Sequence, residues 1–197
     1  MKKSINIRVA IVLSMIAMSG LFFISCNKDD DNFTGGSKSD LNASSQRLAT
    51  VNYSYILGEE PVEGPDESSA PNGDVLVLTG SGTLSIYPKS VSGGGTFEHH
   101  NAAGVVKGTG TWSATQLTSF VSYGNDPTLP PELEGGKSIM QIHLTPSSGG
   151  PGFNGILQVH CLIGNFPAGA HEGVRLEVQG IINFNHEVEG ETVFIRQ

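Results

Sequence analysis

Two five-residue stretches share one arrangement of side chains able to do chemistry. Met140-Gln141-Ile142-His143-Leu144 and Leu157-Gln158-Val159-His160-Cys161 both read apolar, Gln, apolar, His, apolar. Side chains on a strand alternate, so Gln141, His143, Gln158 and His160 share one face, and Met140, Ile142, Leu144, Leu157, Val159 and Cys161 share the other. Between the two runs, residues 146–154 carry Ser-Ser-Gly-Gly-Pro-Gly, a hairpin signal. A turn centred between Gly150 and Pro151 sets His143 opposite Gln158 and Gln141 opposite His160. Directly opposed Cβ atoms lie ~5 Å apart, so the four would form a compact polar tile. Two imidazoles and two amides could hold a metal or hydrogen-bond a sugar. Zinc wants four N, S or O ligands and amides are poor ones, so the tile alone is not a metal site. Its plainest reading is the wet face of a half-buried hairpin. No metal or cofactor is implied.

The other candidates are weaker. Glu98-His99-His100-Asn101 reads as a polar loop after the triple glycine 93–95, and neighbouring His residues on a strand would point to opposite faces. His171-Glu172 puts a base beside a carboxylate, but in a Gly/Pro/Ala-rich loop where surface is the expectation. Arg175, Glu177 and Gln179 alternate with Val174, Leu176 and Val178, as on an exposed ion-pair face. Cys161 shares its face with Val159 and Ile163 and reads as a buried structural thiol, because a reactive Cys needs an electropositive niche. No Gly-x-Ser-x-Gly elbow occurs. Glu59, Glu60, Glu63, Asp66 and Glu67 lack the spacing of a calcium loop and, among three prolines, read as a solvated loop. Trp112, Tyr53, Tyr55, Tyr87 and Tyr123 could stack on sugars or simply fill a core.

The elements that must position these residues are strands. No stretch keeps an apolar stripe at helical spacing over three turns. Strand patterns cover 51–57, 74–87 with a kink near Gly80, 96–99, 105–112, 117–123, 138–145, 155–163, 174–184 and 192–195. Residues 58–73, 90–95, 124–136 and 164–173 read as turns or loops. Short strands without helical crossovers predict an all-β fold, an antiparallel β-sandwich or small β-barrel of about eight strands. Charged residues are 15% of the chain and glycines number 26, which suits many turns. The net charge of -8 with only 11 Lys plus Arg excludes a basic stripe for nucleic acid.

The N-terminus supplies an address. Lys2, Lys3 and Arg8 precede an apolar run over 9–24, too short to favour a retained membrane span. The run ends at Phe23-Ile24-Ser25-Cys26, which resembles the lipobox of bacterial lipoproteins, with Phe23 where Leu is usual. The resemblance implies that 1–25 is a signal peptide and that Cys26 is lipidated. Asn27-Lys28-Asp29-Asp30-Asp31-Asn32 resembles the acidic tag of surface-exported lipoproteins of the Bacteroidota type, which implies an outward-facing outer-membrane location in preference to the periplasm. Residues 26–47 then form a polar tether and 48–197 a single β domain. With Cys26 taken by lipid, Cys161 has no partner for a disulfide. The Gly/Thr-rich course of 81–123 resembles a group of uncharacterised small secreted β proteins; this adds to the fold and names no activity.

The expected function is a lipid-anchored, non-enzymatic surface domain that binds a polymer, an ion or a partner protein. The competing expectation is a small barrel enzyme or ligand carrier with His143, His160, Gln141, Gln158, Arg175 and Glu177 lining a lumen. That arrangement would turn Ile142, Val159 and Val178 outward and require a homo-oligomer to cover them.

Overall fold

The computed structural model describes residues 50–197; the expected signal peptide 1–25, Cys26 and the expected tether 26–47 lie outside the described residues. The eleven strands are β1 (Asn52–Leu57), β2 (Asp66–Ser69), β3 (Val75–Ser85), β4 (Ser90–His100), β5 (Val106–Gly124), β6 (Leu133–Pro146), β7 (Phe153–Cys161), β8 (Gly173–Val178), β9 (Ile182–Phe184), β10 (His186–Glu189) and β11 (Thr192–Arg196). Every pairing is antiparallel, and the described residues contain no helix. The all-β expectation holds, with more strands than the eight expected.

At one end the sheet closes on itself. β3 pairs with β4, β4 with β5, β5 with β6, β6 with β11, β11 with β1, and β1 returns to β3. Closure leaves no free edge in this ring. At the other end β3 and β6 exchange partners. Residues 75–78 of β3 pair with β2, which carries β10, while residues 136–144 of β6 pair with β7, which carries β8 and β9.

Alternation fills the interior from both sides. Tyr55, Leu78, Met140, Ile142, Leu157, Val159, Leu176 and Phe194 are all buried to 1% exposure or less. Met140, Ile142, Leu144, Leu157, Val159 and Cys161 do face the core, as their spacing required. The interior is therefore packed and apolar, and the polar face of the β6–β7 hairpin does not line a lumen: Gln141 and Glu177 are exposed.

Three sequence expectations are corrected. The glycine run 90–95 is strand and not turn; the chain reverses at residues 86–89 instead. On the inner face Gly80 pairs with Gly95 and Gly82 with Gly93. Together they form a side-chain-free trough, in which a Cβ on Gly80 would lie 2.6 Å from Trp112 and one on Gly93 2.7 Å from the Tyr55 hydroxyl. The indole donates to the Thr79 carbonyl at 2.8 Å and the phenol to that of Ser92 at 3.0 Å. The glycines are there for aromatic rings. Second, the two strands expected over 105–112 and 117–123 are one strand, β5, whose residues 110–124 stay paired to β6 through three register shifts. Third, β2 lies inside the segment read as a solvated loop.

The buried thiol gives a direct check. In full-length protein carrying Cys26→Ser, Cys161 is the one remaining thiol, 1% exposed, with burial pushing it up to about 12. It should resist a disulfide reagent in the native state and react at once in denaturant. Rapid native reaction would place the β7 inner face outside the core.

Candidate functional site

Where the ring opens, the gap is closed by charge. The β2–β10 ribbon turns Asp66, Ser68 and Glu187 inward. Glu187 meets His160 and Arg175, which pairing places on the face of β7–β8 opposite Val159 and Val174. Glu187 Oε1 lies 2.6 Å from Arg175 Nε and 3.3 Å from His160 Nδ1, ion-pair distances without hydrogen-bond alignment for the arginine. His160 Nδ1–H donates to the His171 carbonyl at 3.2 Å, leaving Nε2 buried and unpartnered. Glu172 accepts from the Leu162 amide at 2.6 Å, from the Thr192 amide at 3.1 Å and from the Thr192 hydroxyl at 2.9 Å. It thereby ties the ends of β7, β8 and β11 together.

Asp66 is the extreme member. It is fully buried, and neither carboxyl oxygen has a hydrogen-bond partner. Gly190 makes room for it, since a Cβ there would overlap Asp66 Oδ1. Burial, then the charges of Glu172 and Glu191, push Asp66 up to about 8, so its carboxyl carries a proton at neutral pH. Burial also raises Glu172, against the pull of its three bonds, and burial with Lys137 lowers His160. Of these groups Asp66 is the one held as the neutral acid at neutral pH. Among the described residues no three His, Cys, Asp or Glu side chains converge as metal ligands.

This corrects three expectations. Asp66 is buried structure and not solvated loop. Glu172 is a backbone clamp, whereas its neighbour His171 is exposed as expected. His160, expected on a wet face, is 6% exposed because the ribbon covers it. Glu187 carried a misleading signal: it alternates with Ile182, Phe184 and Val188 as a solvent-facing residue would, yet Glu187 is buried and Val188 is 54% exposed.

The four residues of the expected tile do not come together. The hairpin pairs His143 with Asn154, Gln141 with Ile156, Gln158 with Ile139 and His160 with Lys137. The turn sits two residues earlier than its glycines suggested, so every pairing slips by four and the faces are preserved. His143 and His160 end six residues apart along the hairpin, roughly 20 Å at ~3.3 Å per residue. His143 bonds Asn154 Oδ1 at 3.0 Å. His99 and His100 do diverge, though at a strand end and not in a loop. His99 turns in to Asp74 at 2.8 Å, holding that carboxyl below its usual range, and to the edge of Phe184; His100 turns out to Glu98 at 2.8 Å.

A second arrangement covers the outside of β3–β6. The registers align Thr79, Thr96, Thr111 and Thr145 in one row across four strands. Beside it runs Ser81, Gly94, Ser113 and His143, and beyond that Thr83 with Ser92. Thr79 and Thr96 hydroxyls bond each other at 2.9 Å, as do Thr83 and Ser92. Two open grooves share Val77: the larger, ≈ 440 Å³, adjoins the first row and is lined by Thr79, Thr96, Glu98, Thr109 and Thr111, and the smaller, ≈ 310 Å³, lies beyond it with Val75, Glu67 and His100. Neither groove contains Lys or Arg.

The chain matches no family model, no curated protein and no solved structure.

The seam makes stability depend on pH. Asp66 has a folded value above the unfolded ~3.9, so its contribution is complete below ~4 and is lost as pH rises through about 8. His160 has a folded value below the unfolded ~6.5 and destabilises only as pH falls beneath that. Between pH 6.5 and 8 thermal unfolding should therefore drop by roughly 4–8 °C in Tm, from ~1.4 kcal/mol per pH unit and ~2–4 °C per kcal/mol. Asp66→Asn should flatten that slope. An unchanged slope in the variant would mean that Asp66 is ionised in the folded protein.

Proposed function

We propose that this chain is a lipid-anchored domain displayed on the outer surface of the outer membrane, where it binds a ligand without chemical turnover. The address comes from Phe23-Ile24-Ser25-Cys26 and the acidic run after it. The observation that carries binding is the outer face of β3–β6, where hydroxyls stand in register on four strands beside two adjoining grooves. The groups best suited to proton transfer, Asp66, His160 and Glu187, are 7% exposed or less and line neither of these two grooves. The competing reading, a barrel enzyme or carrier with a polar lumen, has less support because the inward positions are Met140, Ile142, Leu157 and Val159.

Two cell experiments test this reading. Cys26→Ser should move the protein from the membrane to the soluble fraction. Proteinase added to intact cells should degrade the native protein. Resistance on intact cells, with degradation after outer-membrane permeabilisation, would place the domain in the periplasm.

A further inference from the structure

The geometry points to an uncharged polysaccharide chain as the ligand of the β3–β6 outer face, lying along the two grooves and across the threonine row. The inference rests on the surface-domain reading above and assigns that face its ligand.

The face itself selects this class. Strand spacing sets neighbouring hydroxyls of Thr79, Thr96, Thr111 and Thr145 ~4.8 Å apart across the sheet, and ~6.8 Å separates them from the next row. Each hydroxyl both donates and accepts, so a row can exchange hydrogen bonds with ligand hydroxyls without a fixed polarity. Adjacent to the row, Val75 and Val77 give the apolar floor that the C–H face of a pyranose covers. Gly94 stands where a side chain would interrupt the second row. The threonines are stiff at χ1, so little side-chain freedom is lost on binding.

Charge excludes the neighbouring classes. The grooves hold Glu67 and Glu98 and no Lys or Arg, so within them an anionic glycan or a phosphate-bearing polymer meets no positive side chain; exposed Lys107 lies further along β5. Glu98 is held by His100 at 2.8 Å, so one carboxylate oxygen is already engaged within the protein. Carboxylates do accept from vicinal hydroxyls, and Glu98 borders Thr96 and Thr109 in the larger groove. The two grooves border the same residue, Val77, so two sites lie side by side, which suits several linked residues better than one compact molecule.

The test is native affinity electrophoresis of the full-length protein in a polyoxyethylene detergent, through gels containing dextran, mannan, xyloglucan or galactan, each neutral, or alginate as the anionic counterpart. At least one neutral polymer should retard the protein. The double variant Thr96→Val, Thr111→Val keeps β-branched residues on an exposed face, so it should fold, with near-unchanged Tm as the control. It should weaken retardation about tenfold, the effect of removing two hydroxyls from a binding row, while Thr128→Val, in the loop before β6, should not. No retardation by any neutral polymer, retardation by alginate alone, or retardation that the double variant leaves intact would overturn the assignment. Those outcomes leave the surface address standing, because that is decided separately by proteolysis of intact cells.

Discussion

Strand β6 is the member on which the rest of the domain depends. It is bonded to β5 along one side and, on the other, to β11 at residues 133–134 and to β7 from residue 136. It thus belongs both to the closed ring and to the sheet that leaves it. The handover occurs at Gly135 and Gly136, both buried, where a Cβ would run into the Ile163 carbonyl on one side and approach Val121 and Phe120 on the other. Only backbone fits between three strands at that point. Just before it, Glu134 accepts from the Tyr53 hydroxyl at 2.9 Å and from Ser122, and faces Arg196 at 3.8 Å. Ring strands β1, β5 and β11 are thereby fastened to the same turn of β6.

The two ends of the domain are consequently held by different forces. In the ring, hydrogen-bonded strands leave no edge and apolar burial does the rest, which suits a chain whose described cysteine is free. Across the seam no ladder joins β10 to β8, and the contact is made by Glu187, Arg175 and His160 instead. Buried ion pairs return little net free energy, because removing both charges from water costs about what their attraction supplies. They do specify geometry: a ribbon that slips by one residue turns Glu187 outward and leaves Arg175 without its carboxylate. The protonated Asp66 belongs to the same logic, since a third carboxylate beside Glu172 and Glu191 can stay buried only as the neutral acid.

Much of this was legible where side chains alternate in polarity. The inner faces of β6 and β7 were readable from Met140-x-Ile142-x-Leu144 and Leu157-x-Val159-x-Cys161, because a period of two separates faces whatever the register. Register itself was not readable: the loop 147–152 offers several glycines on which to turn, and the choice moved every pairing by four. β2 and β10 were invisible for another reason. Asp66, Ser68 and Glu187 are the inward positions, so burial there follows a polar pattern indistinguishable from solvent exposure. The glycines of β4 were misread because a run of glycine ordinarily means a turn, and their use as a trough for Tyr55 and Trp112 requires knowing which strand lies opposite.

The hydroxyl rows show the same division between what a strand encodes and what the sheet decides. Thr79-x-Ser81-x-Thr83, Ser92-x-Gly94-x-Thr96 and Thr109-x-Thr111-x-Ser113 each alternate along the chain, and each alone is an ordinary wet strand face. They become one surface only because β3, β4 and β5 pair in a register that puts hydroxyl against hydroxyl, with Thr145 of β6 completing the row. That register is set from inside, by Trp112 lying over Gly80 and Tyr55 over Gly82 and Gly93. A shift of β3 by two residues would keep every threonine outside but drive one ring into a leucine, Trp112 into Leu78 or Tyr55 into Leu84. The order of the outer face is therefore held by aromatic rings that no ligand touches.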